Sequence, residues 1–198
     1  MTPFSMKEFL LIGALLFGVH FWSGREMTRP GGVLVPEQPV QQEILGSLFR
    51  EKTGCRIGLL ANFDIKARLI AAERYRFDRG AALPPVDLAL GWGPMSDSNV
   101  LTQISVSQGW RSYSWWTKSF PVSRNVIETH SANMHMIPAN DDIERRLESI
   151  RAGNVVHIKK VLVELSRTDG FRWKSSLTRS DTGAGACELV WAESLEIW

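Results

Sequence analysis

Residues Phe9 to Trp22 read FLLIGALLFGVHFW, an uncharged run that is apolar except for Gly13, Gly18 and His20. Such a stretch has to leave water, so the chain must either bury it in a core or pass it into a lipid bilayer. At 14 residues it is shorter than the roughly 20 that a spanning helix needs. It has the length of a signal-peptide core, with Lys7 as a slight positive flank, but no small-residue cleavage pattern precedes Ser23, Gly24 and Arg25. The expectation is an uncleaved anchor over residues 1–24, with membrane contact through residues 9–22 and with Phe21 and Trp22 at the interface. Lys7 lies before the run and Arg25 and Arg29 after it, so the positive-inside rule is balanced. A short N-terminus followed by a long domain is expected to place that domain on the far side, as a single-pass inner-membrane protein with a periplasmic domain.

Arg29-Pro30-Gly31-Gly32 breaks any helix. Residues 25–36 therefore read as a linker and residues 37–198 as one globular domain. The chain of 198 residues carries 23 Lys plus Arg against 21 Asp plus Glu, a net charge of +2. The basic residues are scattered, without the stripe of a phosphate-backbone binder, so nucleic acid is not the expected partner.

Within the domain, Val40, Ile44, Leu45, Leu48 and Phe49 have helical spacing, and a helix is expected from Gln38 to Lys52, ended by Gly54 and able to dock on a partner. Phe63, Ile65, Ala67 and Leu69 alternate as in a half-buried strand. Asp87 to Asp97, DLALGWGPMSD, reads as a loop or short helix, and residues 96–104 as helical. Trp110 to Thr117 favours a strand, Ser123 to Thr129 a short helix, and Met134 to Ile137 a strand. Asn140 caps a helix running to Arg151, with Asp141, Asp142 and Glu144 complementing its dipole. Val155 to Leu165, a turn at Thr168-Asp169-Gly170, Phe171 to Leu177, and Cys187 to Ile197 follow as strands. The expected fold class is α+β: an antiparallel sheet with a few helices, preceded by one N-terminal hydrophobic helix. Closure into a small OB- or SH3-like barrel is one way to complete the sheet.

Three phrases, DLALGWGPMSD (Asp87 to Asp97), SANMHMIPA (Ser131 to Ala139) and SSLTRSDTGAGACE (Ser175 to Glu188), together resemble an uncharacterised family of bacterial membrane-anchored proteins. The resemblance covers most of the chain after Pro30. It implies a bacterial envelope setting and nothing about mechanism.

Asp181-Thr182-Gly183-Ala184 matches the aspartic-protease phrase, but Arg179 and Ser180 stand where apolar strand residues belong and only 14 residues follow Ala184. A hairpin loop accounts for it. His130 and His135, with Asp141 and Asp142 after them, are weak candidates for a metal, because their spacing puts them on opposite faces of an extended segment. No cofactor is predicted. A nucleophilic set drawn from Cys187 or Ser176 with His135 and Asp181 would suit a hydrolase. Met95-Ser96 is like a signal-peptidase serine box but lacks its lysine. Arg172, Lys174 and Arg179 surround the Gly-rich loop 178–186, where an Arg179–Asp181 ion pair is preferred to an anion site. Cys55 and Cys187 either pair or remain free. Of the eight tryptophans, Trp92, Trp115 and Trp116 are the candidates for a binding surface, with Trp115-Trp116 favoured for a partner or membrane contact.

The leading functional expectation is a membrane-anchored accessory or binding protein, such as a subunit of an envelope assembly. The alternative is a hydrolase or metal-dependent enzyme using His135, Asp181 and Cys187.

Overall fold

The computed structural model describes residues 25–75, 83–178 and 186–198. The expected anchor over 1–24 lies outside them, as do Arg179, Asp181 and the rest of the DTGA phrase. Among the described residues no helix is long and apolar enough to cross a membrane.

The described residues form mostly antiparallel sheet with three α-helices, an α+β arrangement. The strands are β1 (Val40–Glu43), β2 (Phe49–Lys52), β3 (Cys55–Arg74) and β4 (Val86–Gly91). A 3-10 turn (Gly93–Ser96) and α1 (Ser98–Leu101) follow. Next come β5 (Ser105–Gly109), β6 (Ser112–Trp116), α2 (Arg124–Thr129), β7 (Ser131–Pro138) and α3 (Asp141–Ser149). The last elements are β8 (Val155–Ser166), β9 (Arg172–Lys174) and β10 (Glu188–Ile197).

The strand pairings return on themselves. β3 pairs with β4, β4 with β7, β7 with β10, β10 with β8, and β8 again with β3. All of these pairings are antiparallel except β7–β10. β3 serves both ends of the circuit, because Arg56 to Arg68 pair with β8 and Arg68 to Arg74 pair with β4.

A register shift between Leu59 and Ala61 has a consequence for packing. One extra residue in a strand exchanges its two faces. Before the shift, Cys55 and Ile57 pack with Val161, Val163 and Leu165 on one side of the sheet. After it, Ala61, Phe63, Ile65, Ala67 and Leu69 pack on the other, with Leu88, Met134, Ile158 and Val190. Helix α3 covers that second cluster with Ile143 and Leu147. Its N-cap is Asn140, whose side chain accepts from the Asp142 and Ile143 amides.

The expected helix from Gln38 to Lys52 is not formed. The segment contains β1 and β2, both hydrogen bonded to β3. Lys52 pairs with Cys55 across a two-residue turn in which Thr53 and Gly54 have φ of 52° and 71°. Two successive positive φ values are the hairpin geometry that matches strand twist, so Gly54 turns a hairpin and does not stop a helix. The expected loop or short helix at Asp87 to Asp97 is a fully buried strand through Gly91, followed by the 3-10 turn. The helix expected over 96–104 is the single turn α1.

The segment read as a linker is tied to the body. Met27 N donates to Ala152 O, Gly32 N to Asp97 Oδ1, and Gly93 N to Val35 O. The Ser96 hydroxyl accepts from the Leu34 and Val35 amides and donates to Gly93 O. Ser96 is thus a buried structural hydroxyl that joins this strap to the 3-10 turn.

Candidate functional site

Strands β4, β7 and β10 are neighbours in the sheet, with β7 in the middle. Alternation along each strand sends every second side chain to the same face. On β4, Val86, Leu88 and Leu90 point into the large core, which turns Asp87 to the other face. On β7, Met134 and Met136 point into that core, which turns Asn133 and His135 outward with Asp87. Asp87 and His135 are direct cross-strand partners. Cys187 lies immediately before β10, whose Leu189 pairs with His135.

The sheet therefore sets Asp87, His135 and Cys187 in a row. His135 Nδ1 lies 2.7 Å from Asp87 Oδ1, and both side chains are almost fully buried. The contact is electrostatic, since Nδ1 makes no aligned hydrogen bond. Cys187 lies near enough to the same ring to act on its protonation. Burial disfavours the protonated form of His135, but Asp87 and then Cys187 outweigh burial and raise its pKa above the ordinary value. The Trp173 ring covers the imidazole at a centroid distance of 4.6 Å.

A second chain of contacts reaches the sulfur. The Asn133 side-chain amide donates toward Cys187 Sγ at 3.8 Å. Its orientation is set from behind by Gln108 Nε2, which donates to Asn133 Oδ1 at 2.7 Å. With its oxygen engaged there, the Asn133 amide nitrogen is left facing the thiol.

Asp87 also meets Arg111, whose Nη1 lies 2.9 Å from the same Oδ1 and donates to Pro84 O at 2.7 Å. The guanidinium lies over the Tyr75 ring at 3.6 Å. Burial, and after it the nearby Asp87 carboxylate, pushes the Tyr75 hydroxyl up to about 12. That hydroxyl accepts from the Arg111 backbone amide at 3.1 Å.

His135, Asn133 and Cys187 lie on the floor of a cleft of about 950 Å³, which Arg111 also lines. Its walls include Tyr113, Trp115, Trp116, Phe120 and Trp173. Trp115 and Phe120 meet edge to face at 6.1 Å, and the Tyr113 hydroxyl donates to Ser131 Oγ at 3.0 Å.

Of the residues singled out in the sequence, the structure brings His135 and Cys187 together, and Asp181 lies outside the described residues. The carboxylate beside His135 is Asp87, which the sequence alone places in a loop or short helix. Its signal was a lone acidic residue inside the apolar run Val86 to Leu90, where a buried charge calls for a partner. Asn133 was not singled out either, although a residue two positions before His135 shares its strand face. His130 is not part of this row. It ends α2, its Nδ1 contacts Val126 O and Thr129 Oγ1, and its ring packs on Gly93. Among the described residues no group of three or more His, Cys, Asp or Glu is arranged to hold a metal.

Trp115 and Trp116 stand at the cleft, with Trp116 59% exposed. Trp92 does not belong to a binding surface. It is fully buried in the large core, and its indole N–H donates to Gln38 Oε1 at 2.8 Å. Ser176 is buried, and its hydroxyl serves a local turn with Thr178. Cys55 and Cys187 are both free thiols, and Cys55 is buried on the opposite part of β3 from the Asp87 pairing.

Comparison with protein-family models, with curated proteins and with solved structures finds no match for this chain.

Proposed function

We propose that the protein is a cysteine-nucleophile enzyme of acyl transfer or hydrolysis, with Cys187 as nucleophile, His135 as base and Asp87 as the group that orients His135. The observation that carries this reading is the row Asp87–His135–Cys187, set by β4, β7 and the residue before β10, with His135 and Cys187 at the floor of a cleft. Nucleophile, base and orienter in contact are the signature of covalent catalysis.

The chemistry follows from the positions. His135 takes the thiol proton, and Sγ attacks the acyl carbonyl carbon, forming a C–S bond. The carbonyl oxygen gains negative charge, and the Asn133 amide beside Sγ is placed to donate to it. Collapse breaks the bond to the leaving group, which takes the proton back from His135. Water then attacks the thioester with His135 as base, releasing the acid and the free thiol.

The closed circuit of five strands supports an OB-type barrel as the finer description of the fold. Barrels of that kind bind ligands on the face of their second and third strands. Here those strands are β4 and β7, which carry Asp87, Asn133 and His135. The reading keeps the tether expected at residues 9–22, with the domain on the periplasmic side of a bacterial inner membrane. A second reading, an accessory or binding module, draws on the exposed Trp116 at the cleft and on Trp110, which is 97% exposed.

Alkylation of Cys187 by iodoacetamide at neutral pH, followed by peptide mass spectrometry, tests the enzyme reading. The expected result is a rate at least about 10-fold lower in His135→Gln, since that variant removes the base proposed to take the thiol proton. Equal rates in the two proteins would remove His135 as the base and leave the binding module.

A further inference from the structure

Resting on the reading of Cys187 as nucleophile, we infer that the cleft takes an ester or thioester whose acyl group is a long apolar chain, seated along Tyr113, Trp115, Phe120 and Trp173 with its carbonyl at Cys187. Three observations carry this. At about 950 Å³ the cleft lies at the upper end of the roughly 300–1,000 Å³ of small-molecule sites, far more room than an acetyl group fills. Its aromatic walls offer apolar area close to the reacting sulfur. Of the three basic residues that line it, Arg124 pairs with Glu128 at 2.8 Å and Arg111 with Asp87 at 2.9 Å, while Lys174 stands at the edge strand β9. A polar acyl group would leave the aromatic walls without a complement, whereas an alkyl chain removes them from water.

The attack is the one already described: C–S bond formation, loss of the alkoxide or thiolate leaving group with the proton held by His135, then hydrolysis of the thioester by water. Apolar chain length enters through binding along the wall, which positions the carbonyl over Sγ.

The test uses the full-length protein in phospholipid nanodiscs with p-nitrophenyl acetate and p-nitrophenyl octanoate. Nitrophenolate release and the acyl adduct on Cys187 are followed together, and each rate is divided by that of free cysteine beside empty nanodiscs. The expected result is a normalised rate about 100-fold higher for octanoate, which asks for about half of the full transfer free energy of six methylenes. Trp115→Ala should reduce that octanoate-to-acetate ratio about 5-fold or more. Acylation of Cys187 by both esters at equal normalised rates would overturn the chain-length inference and leave the nucleophile standing. No acylation of Cys187 by either ester would overturn the nucleophile reading, and the inference with it.

Discussion

Asp87 answers two basic groups with one oxygen: Arg111 and His135 both approach its Oδ1. Loss of the carboxylate would take this contact away from both neighbours. Replacing Asp87 by Asn keeps the shape and removes the charge. It should cost about 3–5 kcal/mol, the range found when one member of a buried ion pair is removed, read from the urea unfolding midpoint. The same contact gives stability a pH dependence. The folded pKa of His135 is raised above its unfolded value near 6.5. Its stabilising contribution is therefore complete below about pH 6.5 and is lost as pH rises through the higher folded value. The stability gap between the natural protein and His135→Gln should narrow as pH rises above about 6.5. A constant gap would show that Asp87 does not favour the imidazolium. At this scale the site was legible except for its carboxylate and Asn133. His135 and Cys187 are residue types that announce chemistry, whereas Asp87 needed a correct strand assignment before its side of the sheet could be known.

The hairpin β5–β6 stands apart from the main sheet and carries both a wall of the cleft and its anchor. Its two-residue tip places Trp110 and Arg111 at φ of 53° and 61°, a conformation that costs a side chain about 1–2 kcal/mol per residue. Arg111 offsets the strain through its contacts with Asp87, Pro84 and Tyr75. Trp110 is almost wholly exposed, so its ring recovers little by packing. Trp110→Asn should accordingly stabilise the protein by up to about 1 kcal/mol, because Asn tolerates the left-handed region. A rise in the thermal midpoint would show this, and an unchanged or lower midpoint would mean that the indole serves the turn. Turn chemistry also explains the clearest misreading in the sequence. Val40, Ile44, Leu45 and Phe49 do have helical spacing, but Thr53-Gly54 closes a hairpin, and β3 offered β1 and β2 a strand to pair with. Pairing with a strand distant in sequence is invisible to local periodicity. Helices with strong local signals, such as α3 behind Asn140, were legible because capping is local.

For the whole molecule, the α+β class and the option of a small closed barrel could be read from the alternation of the strands, while the strand order of the circuit could not, since it depends on one long strand serving two partners. Closure makes particular glycines structural. A Cβ at Gly91 would lie 2.3 Å from Met95 O, at the corner where β4 enters the 3-10 turn. That oxygen belongs to backbone and cannot swing aside as a flexible side chain would. Gly91→Ala should destabilise the protein by about 2 kcal/mol or more in urea unfolding, with loss of the cooperative transition as the extreme case.

The strands that carry Asp87 and His135 are interior members of that circuit, paired on both edges. Segments of that kind open only when the entire domain opens. Heat should therefore abolish the His135-dependent enhancement of Cys187 reactivity and near-ultraviolet tryptophan dichroism at one and the same temperature, with no interval in which a folded protein has already lost that enhancement. A chemist searching for conditions that silence this thiol gently would have to look to the hairpin above it, because the floor on which it rests has no softer state to offer.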